Sequence, residues 1–188
     1  MKKIITLTIL LLFITCKAQI YPLKTDYSEV PINSYLKDIN NELDLFVGNY
    51  TSQFQGRNIS INISKIIHHF FDGSQYKYYQ DILSLKYTVS NSSGTILQST
   101  ENLVFPSNQL QHTIYSQWVE NNGNTLLLYY GGTNCGIGWG QIKLKYINPT
   151  QISWDYEPNS TVVGDNCPTN INKTVYLPLT TDLIFTKQ

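Results

Sequence analysis

Two acidic side chains near the end of an alternating segment are the best candidates for chemistry in this sequence. Asp155 and Glu157 are two residues apart, so on a strand both side chains lie on one face. A pair of carboxylic acids on one face can supply the acid and the base of a glycosidase. The same pair is also what the polar end of a strand contains, and no Gly-x-Ser-x-Gly nucleophile motif is present. A hydrolase is therefore a minor alternative, and no catalytic residue is predicted.

The three histidines are candidates for metal binding. His68 and His69 are adjacent, so on a strand their side chains point to opposite faces, and His112 stands alone in the sequence. Zinc needs several ligands that converge on one point. The sequence therefore predicts no metal site and no cofactor.

A glycine-rich segment, residues 131–140, superficially resembles a phosphate-binding loop. Phosphate loops lead into a helix whose N-terminus meets the anion, whereas this segment leads into the alternating strand of Ile142 and Leu144. We interpret it as a hairpin connection whose glycines take positive φ.

Two cysteines, Cys135 and Cys167, remain beyond residue 18. Neither has a Cys-x-x-Cys partner or a neighbouring histidine, which argues against a metal pair or a nucleophile. In an oxidising compartment two cysteines most simply form one disulfide, here between two loops.

Strands must position these side chains. Ile59, Ile61 and Ile63 alternate with polar residues, and residues 83–89 do the same. Turn signals such as Asp72-Gly73 and the segment 91–94 separate the runs. Besides a strand beginning near Phe46, further strands are expected near 95–105, 112–119, 125–131, 139–147, 150–157 and 174–186. We predict an all-β fold, an antiparallel meander of about eight to nine strands that closes into a lipocalin-like barrel, with a two-sheet sandwich as the alternative.

One short amphipathic helix is predicted ahead of the sheet, over residues 32–45. The apolar residues there recur at helical spacing: Tyr35, Leu36, Ile39, Leu43 and Phe46. Pro31 offers a start signal, and the acidic pair Glu42 and Asp44 would lie on the solvated face of this helix.

Residues 1–18 have the features of a signal peptide. Met1-Lys2-Lys3 is positive, and residues 4–15 form an apolar stretch too short to span a bilayer. Two interpretations compete: cleavage before Gln19, or a loose lipobox that makes Cys16 the acylated first residue. Either predicts export to the periplasm, the outer membrane surface or the medium, membrane contact only through acylated Cys16, and a single domain over 19–188.

Composition limits the partners of the mature chain. Without Lys2, Lys3 and Lys17, ten basic side chains remain against thirteen acidic ones. Binding to nucleic acid needs clustered Lys and Arg, so it is not expected. Aromatic residues are abundant instead, and they can fill a barrel core or line a ligand cavity. They are Tyr76, Tyr78, Tyr79, Tyr87, Tyr115, Trp118, Tyr129, Tyr130, Trp139, Tyr146, Trp154 and Tyr156.

Several segments carry a family resemblance. The segment 42–50 (Glu-Leu-Asp-Leu-Phe-Val-Gly-Asn-Tyr), the preceding Tyr35-Leu36-Lys37-Asp38, the Asn134-Cys135-Gly136 turn and the closing residues 177–187 resemble an uncharacterised family of exported Bacteroidetes proteins, domain of unknown function 6705. The resemblance covers nearly the whole mature chain and implies no known activity. Residues 46–50 are also similar to the first strand of lipocalin-like barrels, with Tyr50 in place of the usual Trp.

The sequence therefore predicts an exported, non-enzymatic barrel that binds a small apolar ligand or a protein partner. The alternative is an envelope-anchored interaction lipoprotein without an internal ligand.

Overall fold

The computed structural model describes residues 19–73, 75–104, 110–120, 122–159 and 162–188. The predicted signal peptide, with Cys16, lies outside these residues. The described residues form strands β1 Ile20–Pro22, β2 Tyr35–Lys37, β3 Gly48–Phe54, β4 Arg57–Asp72, β5 Lys77–Asn91, β6 Ile96–Ser99, β7 Ile114–Val119, β8 Thr125–Tyr130, β9 Gly140–Asn148, β10 Gln151–Pro158 and β11 Leu183–Lys187.

Eight of these strands close into an antiparallel barrel. β3, β4 and β5 pair in sequence order, and β7 to β11 do the same. The circle closes at two places: β5 pairs with β7 through Ser84 and Tyr115, and β11 pairs with β3 through Thr186 and Thr51. The predicted all-β meander that closes into a barrel is confirmed.

The remaining strands cover the edge of β5 that β7 leaves unpaired. β5 has 15 residues and β7 has six, so a long edge would otherwise expose unpaired backbone groups. β2 pairs with β5 in parallel at Tyr79 and Gln80, and β6 pairs with it at residues 88–90. β1 then extends the sheet from β2, again in parallel.

The predicted amphipathic helix over 32–45 is wrong. Residues 35–37 are strand β2, and only Glu42–Phe46 form a short 3-10 turn. Asn41, which precedes the turn, has a left-handed φ of 55°, which no continuous helix accommodates. Ile39 is 55% exposed, so the apolar residues do not share one buried face. Among the described residues no helix has the length and apolar character needed to cross a membrane.

The last predicted strand, 174–186, begins only at Leu183. Pro178 has no backbone N–H and cannot take part in a central ladder. Its carbonyl instead accepts a hydrogen bond from the indole N–H of Trp154, with a distance of 3.1 Å between Trp154 Nε1 and Pro178 O. The segment before β11 therefore packs on the barrel as an extended loop.

Alternating side chains on the strands build the core. Ile59, Ile61 and Ile63 of β4 are buried and pack in one cluster with Leu83 and Leu85 of β5. Their polar neighbours point outward, as the period of two predicts.

Large rings fill the interior of the barrel. Tyr87 and Tyr130 have no exposed surface, and their hydroxyl oxygens are 3.4 Å apart. The rings of Trp154 and Phe185 have centroids 5.6 Å apart, and Tyr50 is 1% exposed. The interior is thus packed with aromatic side chains from β3, β5, β8, β10 and β11.

Alkaline pH should unfold the protein because buried tyrosine side chains lose their protons. Burial raises the pKa of seven of the fourteen tyrosines, and that of Tyr87 to about 12; the seven are Tyr35, Tyr50, Tyr78, Tyr87, Tyr115, Tyr130 and Tyr156. A pKa above the unfolded value stabilises the fold below about pH 10 and loses that stabilisation as pH rises through the folded pKa.

We expect the phenolate absorbance of these seven side chains at 295 nm to appear in the same transition as the loss of circular dichroism. Complete phenolate formation before any loss of circular dichroism would contradict this expectation.

Candidate functional site

The outer face of β7–β10 carries two rows of side chains that point away from the barrel interior. Their strand neighbours, such as Leu144 and Trp154, belong to the core, so alternation turns these residues outward. The cross-strand register defines the rows as Trp118, Leu127, Lys143 and Asp155, and as Tyr115, Tyr129, Gln141 and Glu157. We call these eight residues the outer face.

The outer face has an apolar half and a polar half. Tyr115, Trp118, Leu127 and Tyr129 of β7 and β8 form the apolar half, and Gln141, Lys143, Asp155 and Glu157 of β9 and β10 form the polar half. Trp118 is 37% exposed, and the rings of Tyr115 and Tyr129 have centroids 5.5 Å apart. Aromatic rings beside hydrogen-bonding groups favour a ligand with both apolar and polar surface.

An open groove of about 430 Å³ lies along the polar half. It is lined by Gln141, Lys143, Asp155, Tyr156, Glu157, Pro158, Asn159 and Thr181. Asp155 Oδ1 accepts a hydrogen bond from the backbone N–H of Asp182 at 2.6 Å, which holds the wall of the groove. Lys143 Nζ is 3.6 Å from Glu120 Oε1. The groove therefore offers hydrogen-bond donors and acceptors together.

The distal half of the β4–β5 hairpin extends the aromatic surface. A bulge between Ile66 and His69 bends β4, with His68 at a left-handed φ of 58°. Beyond the bend, the ring of Phe71 lies 5.1 Å from that of Tyr78 and 5.9 Å from that of Tyr115. The hairpin thus contacts the apolar half of the outer face.

Asp155 and Glu157, the acids weighed for glycosidase chemistry, do share the groove. A glycosidase needs two carboxyl groups that both face the scissile bond of an enclosed sugar. Glu157 is exposed, and Asp155 already accepts the backbone N–H of Asp182. The arrangement fits ligand hydrogen bonding better than acid and base catalysis.

The histidines pack against aromatic rings. His68 stacks on Tyr79 with a centroid distance of 4.1 Å and contacts Tyr35 edge-on, whereas His69 contacts Phe71. His112 Nε2 lies 3.1 Å from Asn134 Oδ1 in the loops at the opposite end of the barrel. Across the described ranges, no three His, Cys, Asp or Glu side chains are grouped to hold a metal ion.

Comparison with known proteins assigns the chain to a family. Residues 1–188 match the family model described as "Family of unknown function (DUF6705)". The chain belongs to this family. Comparisons with curated proteins and with solved structures found no match.

Two segments that carried the DUF6705 resemblance meet at one end of the barrel. Asp38 accepts hydrogen bonds from the backbone N–H groups of Glu42 and Leu43 and from Lys65 Nζ, the last at 2.8 Å. Lys65 Nζ also lies 2.7 Å from Asp44. Burial opposes the charge of Lys65, but these hydrogen bonds raise its pKa. The segments therefore have a structural role, because they fix the 3-10 turn over the barrel end.

A second buried carboxylate joins this cluster to β2. Asp81 is 3% exposed and accepts hydrogen bonds from the Tyr35 hydroxyl at 2.5 Å and from the backbone N–H of Asp38 at 3.0 Å. Tyr35 and Leu36 are themselves buried, so β2 docks firmly on β5. The sequence pattern gave no sign of this role for Asp81.

Replacing Asp38 with asparagine should lower the free energy of unfolding by about 1.5–3 kcal/mol, since the carboxylate loses its charge and an NH2 group, which cannot accept, replaces one of its two accepting oxygens. Asp44→Asn is the matched control. Asp44 pairs with the same lysine, but its side chain is 54% exposed. We expect it to cost less than about 1 kcal/mol. Urea denaturation measures both changes, and equal losses would show that Asp38 has no special role in this DUF6705 protein.

The predicted disulfide is present in this DUF6705 protein. Cys135 and Cys167 are bonded across two loops at the end of the barrel opposite Asp38. The glycine-rich loop around Cys135 has positive φ at Gly132, Gly136 and Gly138, as expected for a tight connection. Asn134 also donates a side-chain hydrogen bond to the carbonyl of Asn172, so two bonds hold the loops together.

Proposed function

We propose that this protein is a non-enzymatic binding barrel whose binding site is the outer face of β7–β10. The observation that carries the proposal is the contrast between a barrel interior filled with rings and an outer face that combines aromatic side chains with an open polar groove. Interior binding of a small apolar ligand, which the sequence favoured, is less well supported.

Both ends of the barrel are covered as well. Leu43 and Phe46 of the 3-10 turn are buried at one end. Leu177 is 2% exposed in the loop that receives the Trp154 hydrogen bond, near the other end. A ligand inside would have to displace close-packed side chains, which costs several kcal/mol.

Fragment screening by NMR tests where binding occurs, and it works for a protein whose ligand is unidentified. We expect a library of small soluble fragments to shift side-chain signals of outward residues such as Leu127, Tyr129 and Gln141. Signals of the inward residues Tyr87, Tyr130 and Leu144 should stay unchanged. Shifts confined to the inward residues would refute the proposal and restore the interior ligand.

We also propose that the protein works outside the cytoplasm, which the disulfide supports because such bonds persist in oxidising compartments. Mass spectrometry of protein purified from the cell envelope distinguishes a chain cleaved before Gln19 from one acylated at Cys16. A chain that begins at Gln19 indicates a soluble exported protein, and an acylated Cys16 indicates an envelope-anchored one. An unprocessed N-terminus would contradict export.

A further inference from the structure

The chemistry of the outer face points to the class of its ligand, an inference that rests on the proposed function. Its apolar half offers the ring of Trp118 in one row and the rings of Tyr115 and Tyr129 in the neighbouring row. Its polar half offers the ammonium of Lys143, the amide of Gln141 and two carboxylates. A ligand that satisfies both halves needs an apolar face and an edge that both donates and accepts hydrogen bonds.

The dimensions of the outer face and of its groove favour a small ligand over a protein. Four adjacent strands span about 14 Å, and two outward rows add about 7 Å along the strands. A stable protein interface buries about 800 Å² on each partner, which is much more than these eight side chains present. A groove of about 430 Å³ instead has the dimensions of a small-molecule site.

Charge restricts the ligand further. The polar half holds the carboxylates of Asp155 and Glu157 against the single ammonium of Lys143, which also lies 3.6 Å from Glu120. An anionic ligand would meet net repulsion, and a purely apolar one would take the side chains of Gln141 and Glu157 out of water without offering them hydrogen bonds.

We propose that the outer face binds a neutral oligosaccharide. A pyranose ring has an apolar C–H face, which stacks on Trp118 or Tyr129, and a hydroxyl edge, which both donates and accepts. The hydroxyls bond to Gln141, Lys143 and Glu157 along the groove.

A glycan array followed by calorimetry tests the inference. The purified, disulfide-bonded protein is applied to an array of neutral and anionic plant, microbial and animal glycans, and affinities for the bound ones are then measured. We expect neutral glycans to bind, and Trp118→Ala and Glu157→Gln each to weaken binding about tenfold or more. Ile96→Ala and Glu101→Gln, which change an exposed apolar residue and an exposed acidic residue away from the outer face, should leave the affinity unchanged.

The outcomes separate the class of ligand from the proposed function. Binding that survives both Trp118→Ala and Glu157→Gln would overturn this site, as would a preference for anionic glycans. If no glycan on the array binds while the fragment shifts still map to the outer face, the oligosaccharide is wrong and the proposed function stands. If the fragment shifts map to the interior, both are wrong.

Discussion

Trp154→Ala should lower the free energy of unfolding by about 3–5 kcal/mol, the largest loss we expect from a single side chain. Trp154 has no exposed surface and contacts the rings of Tyr156 and Phe185. Its removal leaves a cavity in a closed barrel and takes the hydrogen bond from the carbonyl of Pro178. Chemical denaturation followed by circular dichroism measures the change.

Two variants give this measurement its controls. Trp154→Phe keeps most of the ring and should cost about 1–2 kcal/mol, so it stays measurable if the alanine variant does not fold. Trp118→Ala removes the same side chain from the outer face, where it is 37% exposed, and should cost clearly less, about 1–2 kcal/mol. Similar losses at positions 154 and 118 would mean that the barrel interior is not the main source of stability.

Removing the disulfide should cost about 3–4 kcal/mol, the second large effect. Cys135 and Cys167 are separated by 32 residues, and closing a loop of that length restricts the unfolded chain by about this amount. The double variant Cys135→Ser with Cys167→Ser should keep the circular dichroism of the barrel, since the strands lie outside the two bonded loops.

Reduction provides the matched test. Dithiothreitol should lower the midpoint of thermal unfolding of the wild-type protein to that of the double variant and leave the variant unaffected. A loss below about 1 kcal/mol would show that the hydrogen bond from Asn134 to Asn172 and the packing of the loops already hold this end of the barrel.

The barrel could be predicted because its information is local. Alternation marks each strand, as at Ile59 to Ile63, and short polar turns make neighbours antiparallel. Closure follows since a long twisted meander would otherwise keep two exposed edges. The disulfide followed from the count of cysteines.

The helix could not be excluded from the sequence. Apolar residues at helical spacing also arise where a loop crosses a barrel end and buries every third or fourth side chain. Leu43 and Phe46 are buried in this way, whereas Ile39, which has the same helical spacing, is exposed. A helix and such a loop can be told apart only from contacts with Asp81 and Lys65, which are distant in sequence and hold this segment.

The sequence did not predict the outer face, because the register of β7 shifts within the strand. Strict alternation places Trp118 on the same side as Ile114, which is buried in the core. A bulge between Ser116 and Trp118 reverses this, so Val119 points inward and Trp118 outward. The sequence carries no simple signal for a bulge at this position. The apolar half of the outer face therefore could be recognised only in the structure.

Pairing of β11 with β3 has a consequence for synthesis of the chain. Thr51 is made early and Thr186 late, so the edges of β3 and β10 stay open until Leu183 and the residues after it are available. Exposed strand edges recruit other chains. A truncated chain that stops before β11 is therefore expected to self-associate. Protection from aggregation begins only when β11 has paired with β3 and β10.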